Sequence, residues 1–117
     1  SNVLDELSTF PHAKIRQLVA ENTSTSPSTL KKLAVEEIEM VRQGVANNPL
    51  TPVELLTQLS DDKNSLTRQF VARNASTPLN VLKKLANDKN DYIKIGLAEN
   101  KAISPEMAHQ IFDYAGK

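Results

Sequence analysis

The sequence predicts an all-α protein built as a stack of repeated helix pairs. A four-residue phrase returns at a fixed interval of 26 residues, apolar residues within each interval follow helical spacing, and Ser/Thr-Pro dipeptides of the kind that begin helices precede the apolar runs. The phrases VAEN, VANN, VARN and LAEN end at Asn22, Asn48, Asn74 and Asn100. A fixed interval is typical of proteins built from stacked similar units, because each unit packs on its neighbours in the same way, whereas a single irregular core does not require one.

The first helix of each repeat is predicted by two apolar columns that lie three residues apart. The columns are Leu4, Leu30, Leu56, Leu82 and Ala108, then Leu7, Leu33, Leu59, Leu85 and Ile111. Thr51-Pro52 and Thr77-Pro78 predict a hydroxyl at the N-cap and proline at the first helical position. Glu54 stands three residues after Thr51, so the pair predicts a capping box.

The second helix of each repeat is predicted over residues 38–47 and 64–73, where Val and Ala of the phrase share an apolar face. The closing asparagines are expected to end these helices, either in the left-handed conformation or through side-chain bonds to nearby backbone. Gly44 and Gly96 weaken an α-helix by roughly 0.5–1 kcal/mol relative to alanine, so part of the second helix is open to a 3₁₀ conformation.

Gly44 and Gly96 also share a column with two large residues, Leu18 and Phe70. Small and large side chains therefore alternate from repeat to repeat. Close packing in protein interiors favours interdigitation of neighbouring helices at this column, with a local hollow as the alternative.

The chain of 117 residues is predicted to form a single domain, residues 1–117, of about four and a half repeats. Residues 3–8 and 105–114 each predict a helix of the first type, so the array is either capped by these helices or is a fragment of a longer one. Cysteine is absent, which excludes disulfides and thiolate metal ligands and fits a reducing, cytoplasmic location. No apolar run approaches the ~20 residues that span a bilayer, so no membrane partner is expected.

The combined columns, Val-Arg-x-x-Val-Ala-x-Asn followed by Thr-Pro-x-x-Leu-Leu-x-x-Leu and then Asp, resemble the leucine-rich repeat variant family. Residues 41–62, VRQGVANNPLTPVELLTQLSDD, carry the best match. The resemblance implies a right-handed α-solenoid of paired helices, often one α and one 3₁₀, related to HEAT and armadillo stacks. The founding type of the family has a cysteine-rich iron–sulfur segment. This chain has no cysteine, so no cluster is carried over and no cofactor is expected.

A column of four cations, Arg16, Arg42, Arg68 and Lys94, is the sharpest chemical pattern in the sequence. A ladder of cations could bind the phosphates of a nucleic acid. On a helix, however, Arg42 falls between Val45 and Ala46 in angle, inside the apolar sector, so its head needs a partner. Glu36, Asp62 and Asp88 supply candidate carboxylates, and the net charge of zero gives no basic excess. We therefore favour a structural ladder.

A second column, Gln17, Gln43 and Gln69, follows the cations and is interrupted by Ile95. These amides could line a groove that binds a peptide or could form a solvated edge, since repeat stacks bind through extended surfaces. Met40, Leu66 and Tyr92, in a column that begins with Lys14, are expected to be core or interface edge rather than a ligand platform.

No catalytic or metal-binding pattern stands out. His12 and His109 have no second histidine or cysteine at ligand spacing, and no glycine-rich phosphate loop or nucleophile motif is present. The acidic pairs Glu36-Glu37 and Asp61-Asp62 are expected to serve helix starts. The sequence thus predicts a non-enzymatic module for a protein or peptide partner, with Gln17, Gln43 and Gln69 as the candidate face and nucleic-acid binding through the cation column as the alternative. It does not specify the partner or the oligomeric state.

Overall fold

The computed structural model describes residues 3–112, and this part of the chain contains nine α-helices and no strand. The helices are α1 (Val3–Leu7), α2 (Ala13–Glu21), α3 (Pro27–Leu33), α4 (Glu39–Asn47), α5 (Val53–Leu59), α6 (Ser65–Arg73), α7 (Leu79–Ala86), α8 (Tyr92–Glu99) and α9 (Pro105–Phe112). The predicted all-α class is confirmed. Residues 113 and 114, which the sequence analysis placed in the last helix, lie outside the described residues.

Odd-numbered helices correspond to the first predicted helix of each 26-residue sequence repeat, and even-numbered helices to the second. Each even-numbered helix packs against the next one along the chain; α2, α4 and α6 also contact both odd-numbered helices that flank them in sequence, and α8 contacts α7. The molecule extends 51 Å along its longest axis and 23 and 19 Å along the other two. Every helix is short, at most nine residues, so its stability comes from its neighbours rather than from intrinsic propensity.

The apolar columns of the sequence form one continuous core. Its largest fully buried side chains are Leu30, Leu33, Leu56, Leu59, Leu82 and Leu85 from odd-numbered helices and Val19, Val41, Val45, Val71 and Ile93 from even-numbered ones. Leu4 and Leu7 of α1 are only partly buried and pack against this core. Burying a side chain of this size contributes about 1.5–3 kcal/mol, which is how a chain with few aromatics maintains a core.

Buried asparagine side chains join successive even-numbered helices. Asn74 donates its Nδ2 hydrogens to the carbonyls of Ala46 and Asn48, at 2.8 and 2.9 Å, and its Oδ1 accepts the Ser76 backbone N–H at 2.8 Å. Asn48 and Asn100 make the same three bonds in their own repeats. Carbonyls at the end of a helix lack intrahelical donors, so each amide satisfies groups that would otherwise be buried without partners.

The asparagines end the even-numbered helices by the second of the two predicted routes, side-chain bonds to nearby backbone, and not in the left-handed conformation; the 3₁₀ alternative for these helices is not adopted either. Asn22, Asn48, Asn74 and Asn100 adopt extended backbone with φ between −85° and −71°. The side-chain oxygen closes the turn through the N–H two residues later, so a positive φ is unnecessary. Helices α2, α4, α6 and α8 are α-helical. At the C-terminal end of each, the backbone N–H of the closing asparagine donates to the carbonyl three residues earlier.

The predicted capping box at Thr51 is also wrong. The Thr51 hydroxyl donates to the Val45 carbonyl of the preceding helix at 2.7 Å, and the residue is buried. The N-cap of α5 is Pro52, without a side-chain cap bond, and Glu54 is exposed. The Thr77 hydroxyl donates in the same way to the Val71 carbonyl of α6, also at 2.7 Å. The Val45 carbonyl, which also accepts the Asn48 backbone N–H at 3.2 Å, therefore takes the hydroxyl, which cannot then turn toward the next helix.

Serine caps form where the sequence shifts the Ser-Pro dipeptide by one residue. Ser26 accepts the Thr29 backbone N–H at 3.3 Å, with Pro27 at the first helical position. Ser104 accepts the Met107 backbone N–H at 3.2 Å at the start of α9. These two starts agree with the sequence prediction.

Two glycines allow close approach of neighbouring even-numbered helices. A Cβ atom at Gly44 would lie 2.8 Å from the Ala20 Cβ and 2.9 Å from the Gln17 carbonyl oxygen of α2. A Cβ at Gly96 would overlap the Gln69 carbonyl oxygen of α6. The predicted tight packing at these positions is confirmed. Helices α4 and α6, where Phe70 occupies this column, contact each other less extensively.

We expect Gly96→Ala to destabilise the protein by about 1–2 kcal/mol. Alanine improves helix propensity by roughly 1 kcal/mol, but a Cβ against a backbone carbonyl, which cannot move aside as a flexible side chain can, places the overpacking cost at about 2–3 kcal/mol. Urea denaturation followed by circular dichroism would measure the free energy of unfolding. Ala98→Gly, at an exposed position of the same helix, is the control and should lose about 1 kcal/mol through propensity alone. A Gly96→Ala variant as stable as wild type would contradict the packing argument.

Candidate functional site

The cation column lies at the beginning of the even-numbered helices and is engaged with carboxylates. The Arg42 Nε and Nη2 donate to the two oxygens of Asp62 at 2.6 and 3.1 Å. Its Nη1 donates to the Glu36 and Glu37 carbonyls at 2.6 and 3.0 Å. The Arg42 and Asp62 side chains are 7% and 8% exposed. Such a bidentate pair has the geometry in which a guanidinium binds a carboxylate most strongly.

The same arrangement recurs in the adjacent repeats. Arg68 binds both oxygens of Asp88 at 2.7 and 3.2 Å, and Arg16 binds both oxygens of Glu36 at 2.9 and 3.1 Å. Each also donates Nη1 to a backbone carbonyl six residues earlier. The carboxylates are those that the sequence analysis named as candidate partners. The three guanidinium forks are therefore turned into the protein rather than toward an open groove.

Lys94, the fourth member of the column, is different because its side chain is half exposed and lies 3.7 Å from Asp91, three residues before it. A surface pair at this distance contributes little. Of the described cation column, Lys94 is thus the member whose charge faces solvent.

Charge pairing shifts two pKa values in this column. The hydrogen bond to Asp62 raises the pKa of Arg42 above its ordinary value, against the effect of burial and with help from the charges of Asp62 and Glu39. Burial alone would raise the pKa of the Asp88 carboxyl. The hydrogen bonds from Arg68 and from the Asn90 backbone N–H outweigh it and, with the Arg68 charge, lower that pKa. Both shifts favour the charged form, of the guanidinium in Arg42 and of the carboxylate in Asp88.

A different surface is open on the even-numbered helices. Met40, Leu66 and Tyr92 occupy equivalent positions on α4, α6 and α8 and are 41%, 40% and 65% exposed. Ile95, one turn after Tyr92, is also exposed. These side chains are not core, which leaves an interface edge or the ligand platform that the sequence analysis disfavoured. We call the surface formed by residues 40, 43, 47, 66, 69, 73, 92, 95 and 99 the open face.

The glutamine column runs through this open face, but its members differ. Gln43 donates to the Asn64 Oδ1 at the N-cap of α6, at 3.2 Å, and so links two helices. Gln17, on α2, contacts Lys14 and Glu21 of its own helix. Gln69 is half buried and has no hydrogen-bond partner within residues 3–112. Gln69 is therefore the member of the column whose amide is available to a ligand.

Arg73 stands at the end of the open face opposite Leu66 and was not singled out by sequence reasoning. Its guanidinium lies over the Phe70 ring, 4.6 Å from the centroid, and donates to the Asn47 Oδ1 at 2.6 Å. The Glu99 carboxylate is 3.8 Å away. A cleft of about 460 Å³ borders this group. One signal could have found it, because Arg73 is the one arginine of four outside the cation column.

The lysine pairs of α3 and α7 and the acidic pairs before α4 and α6 show no convergent chemistry. Lys31, Lys32, Lys83 and Lys84 are exposed, and Lys84 pairs with Asp61 at 3.2 Å. Glu36 and Asp62 bind arginines, and Asp62 also accepts the backbone N–H of Asn64, the N-cap of α6, at 2.9 Å, so it serves a helix start as well. No group of three or more metal-ligating side chains occurs in the described part of the chain. No helix within that part is long and apolar enough to cross a bilayer.

Comparison of the chain with protein-family models, curated proteins and solved structures finds no match. The resemblance to leucine-rich repeat variants therefore rests on the motif columns themselves.

We expect Arg42→Met to destabilise the protein by about 3–5 kcal/mol, because it leaves the Asp62 carboxylate buried without its guanidinium. The double variant Arg42→Met/Asp62→Leu should recover part of this loss. Chemical denaturation of both single variants and the double variant gives the coupling energy. Arg73→Met, which removes a half-buried arginine that has no buried carboxylate partner, serves as the control and should change stability by less than about 1 kcal/mol. A coupling energy near zero would contradict a structural role for the pair.

Asp88 should stabilise the fold in a pH-dependent manner. Its folded pKa is lowered, so its contribution is complete above the unfolded value of about 4 and is lost as the pH falls through the folded pKa. The stability difference between wild type and Asp88→Asn should stay constant from pH 7 to about pH 5 and shrink below about pH 4. Denaturation curves across this range measure it. The same substitution in an Arg68→Met background should show a weaker dependence on pH; an equal dependence would exclude Arg68 as the cause.

Proposed function

We propose that this protein is a non-catalytic repeat scaffold that binds a peptide, or an extended segment of another protein, on the open face of α4, α6 and α8. The observation that carries the proposal is the row of exposed apolar side chains at Met40, Leu66 and Tyr92 beside the unpartnered amide of Gln69. Apolar contact area with a few placed polar groups is what peptide-binding surfaces use.

We further propose that the fold is a right-handed α-solenoid of the leucine-rich repeat variant type. The support is the sequence resemblance, together with bonds that recur at the repeat interval. Arginine–carboxylate pairs join residues 20 apart, and asparagine amides reach carbonyls 26 and 28 residues back. Such a stack presents equivalent positions of successive helices side by side, which turns single exposed residues into an extended surface.

The open face offers two kinds of contact to a peptide. Leu66, Tyr92 and Ile95 can cover apolar side chains, and removing that area from water supplies the favourable free energy. Gln69 can donate to and accept from a peptide backbone, because a primary amide carries both functions. Gln43 can contribute its oxygen while its amide hydrogen remains on Asn64.

Nucleic-acid binding has no observation in its favour. Arg16, Arg42 and Arg68 use both edges of their forks on protein groups, and the chain has equal numbers of acidic and basic residues. Replacing those internal contacts with phosphates would leave buried carboxylates without partners, which is costly.

Selection from a displayed library of random linear peptides tests the proposal. We expect peptides with apolar residues to be recovered and to bind the folded chain in calorimetric titration. Leu66→Ser and Tyr92→Ser should each weaken binding about tenfold, since each removes exposed apolar contact area. Val35→Ser, at an exposed apolar position outside the open face, is the matched control and should leave affinity unchanged.

Failure to recover any peptide, or equal loss of affinity in Val35→Ser, would contradict the proposal. A labelled DNA or RNA oligonucleotide should show no salt-dependent shift in native gels. A shift that disappears on Arg42→Ala/Arg68→Ala, with the fold retained, would support nucleic-acid binding instead.

A further inference from the structure

Arg73 is exceptional among the four arginines of the chain. Arg16, Arg42 and Arg68 each hold a carboxylate through two parallel bonds. Arg73 instead gives one hydrogen bond to an amide oxygen, and the Glu99 oxygen at 3.8 Å is beyond hydrogen-bond distance. A guanidinium with unused donors at a surface is prepared for an acceptor from outside.

The Arg73 head is also held in place before any ligand arrives. Stacking on Phe70 restricts the plane of the guanidinium, and the 2.6 Å bond to Asn47 restricts its rotation within that plane. An arginine that is ordered in advance loses less conformational freedom on binding. Its half-buried side chain, 36% exposed, is thus more than a solvated surface cation.

The charge around this arginine favours a single negative group. The adjoining cleft of about 460 Å³ is lined by Asn47, Pro49, Arg73, Asn74, Ala75, Glu99 and Lys101. Two cations and one carboxylate leave the cleft with a formal charge of +1. Lys101 is exposed and has no ion-pair partner among the described residues. A carboxylate matches both this charge and the two-pronged geometry of the guanidinium.

The position of Arg73 on α6 relates this cleft to the open face. Leu66, Gln69 and Arg73 lie at positions i, i+3 and i+7 of one helix and therefore on one side of it. A rise of 1.5 Å per residue separates the first and last by roughly 10 Å. An extended peptide covers that distance in about three residues.

We propose that Arg73, assisted by Lys101, binds the side-chain carboxylate of a peptide Asp or Glu, while an apolar side chain about three residues away packs on Leu66 and the intervening backbone contacts Gln69. This inference rests on the proposed function, because it names the chemical class of the peptide that the open face receives.

The test analyses the peptides recovered from the displayed library. When the library is displayed on phage, the C-terminus of each peptide is joined to the phage coat protein and has no free carboxylate. Any carboxylate that is selected is therefore a side chain. We expect enrichment of Asp or Glu about three residues from an apolar residue. Changing that acid to its amide in the synthetic peptide should weaken binding to the wild-type chain about tenfold or more, as expected for loss of a charge-assisted bidentate pair.

Two protein variants should act in opposite directions. Arg73→Gln should abolish the preference for the acidic peptide over its amide, with the fold retained by circular dichroism. Glu99→Gln removes the neighbouring negative charge and should tighten binding of the acidic peptide several-fold. Arg73→Lys keeps the charge but not the fork and should lie between wild type and Arg73→Gln.

The outcomes separate the two proposals. Peptides that bind without acidic enrichment, or an acid preference that survives Arg73→Gln, would overturn the carboxylate site and leave the open face intact. Recovery of no peptide would overturn both. Tighter binding of a peptide with phosphoserine in place of the acid would also overturn the assignment, because the cleft would then fit a dianion better than a carboxylate.

Discussion

The carbonyl groups at the end of each even-numbered helix impose the constraint on which the rest of the structure depends. They are buried by the next repeat and need donors. Asn48, Asn74 and Asn100 supply them across the repeat boundary, while threonine hydroxyls satisfy the valine carbonyls nearby. An amide is suited to this position because it donates two hydrogens backward and accepts one forward. Each asparagine therefore both ends its own helix and sets the place of that helix against the preceding one.

Arginine–carboxylate pairs perform the corresponding task at the other end of the even-numbered helices. Arg42 lies in α4, and its guanidinium binds the carboxylate of Asp62, which precedes α6. The pair therefore joins these two helices near their N-terminal ends. Asparagine bonds at one end and arginine–carboxylate pairs at the other position the even-numbered helices. The exposed residues between these ends are not needed for that purpose. This division explains why most recurring columns are structural, and why the open face consists mainly of columns that vary, such as Met40, Leu66 and Tyr92.

Sequence reasoning identified some of the candidate site and missed its most distinctive member. The glutamine column was found because it repeats, yet Gln43 is partly occupied by Asn64 and Gln69 is the available amide. Arg73 was passed over because its column, Glu21, Asn47, Arg73 and Glu99, shows no repetition. Periodicity detects what every unit shares, whereas a ligand site depends on what one unit has and its neighbours lack. The stacking of Arg73 on Phe70 and its bond to Asn47 required the helices to be placed side by side.

The sequence by itself determined the all-α class, the number and order of the helices, the leucine and valine core, and the acids available to the arginines, because helical periodicity and a constant interval are written directly in the chain. The tertiary structure decided the direction of each polar side chain. Thr51 and Glu54 have the spacing of a capping box, but the buried Val45 carbonyl takes the hydroxyl first. An asparagine can end a helix through bonds within its own turn, but here the side-chain amides of Asn48, Asn74 and Asn100 also donate to carbonyls of the preceding even-numbered helix. A polar group in a protein interior bonds to whichever partner packing brings near, and that partner is often 20 or more residues away.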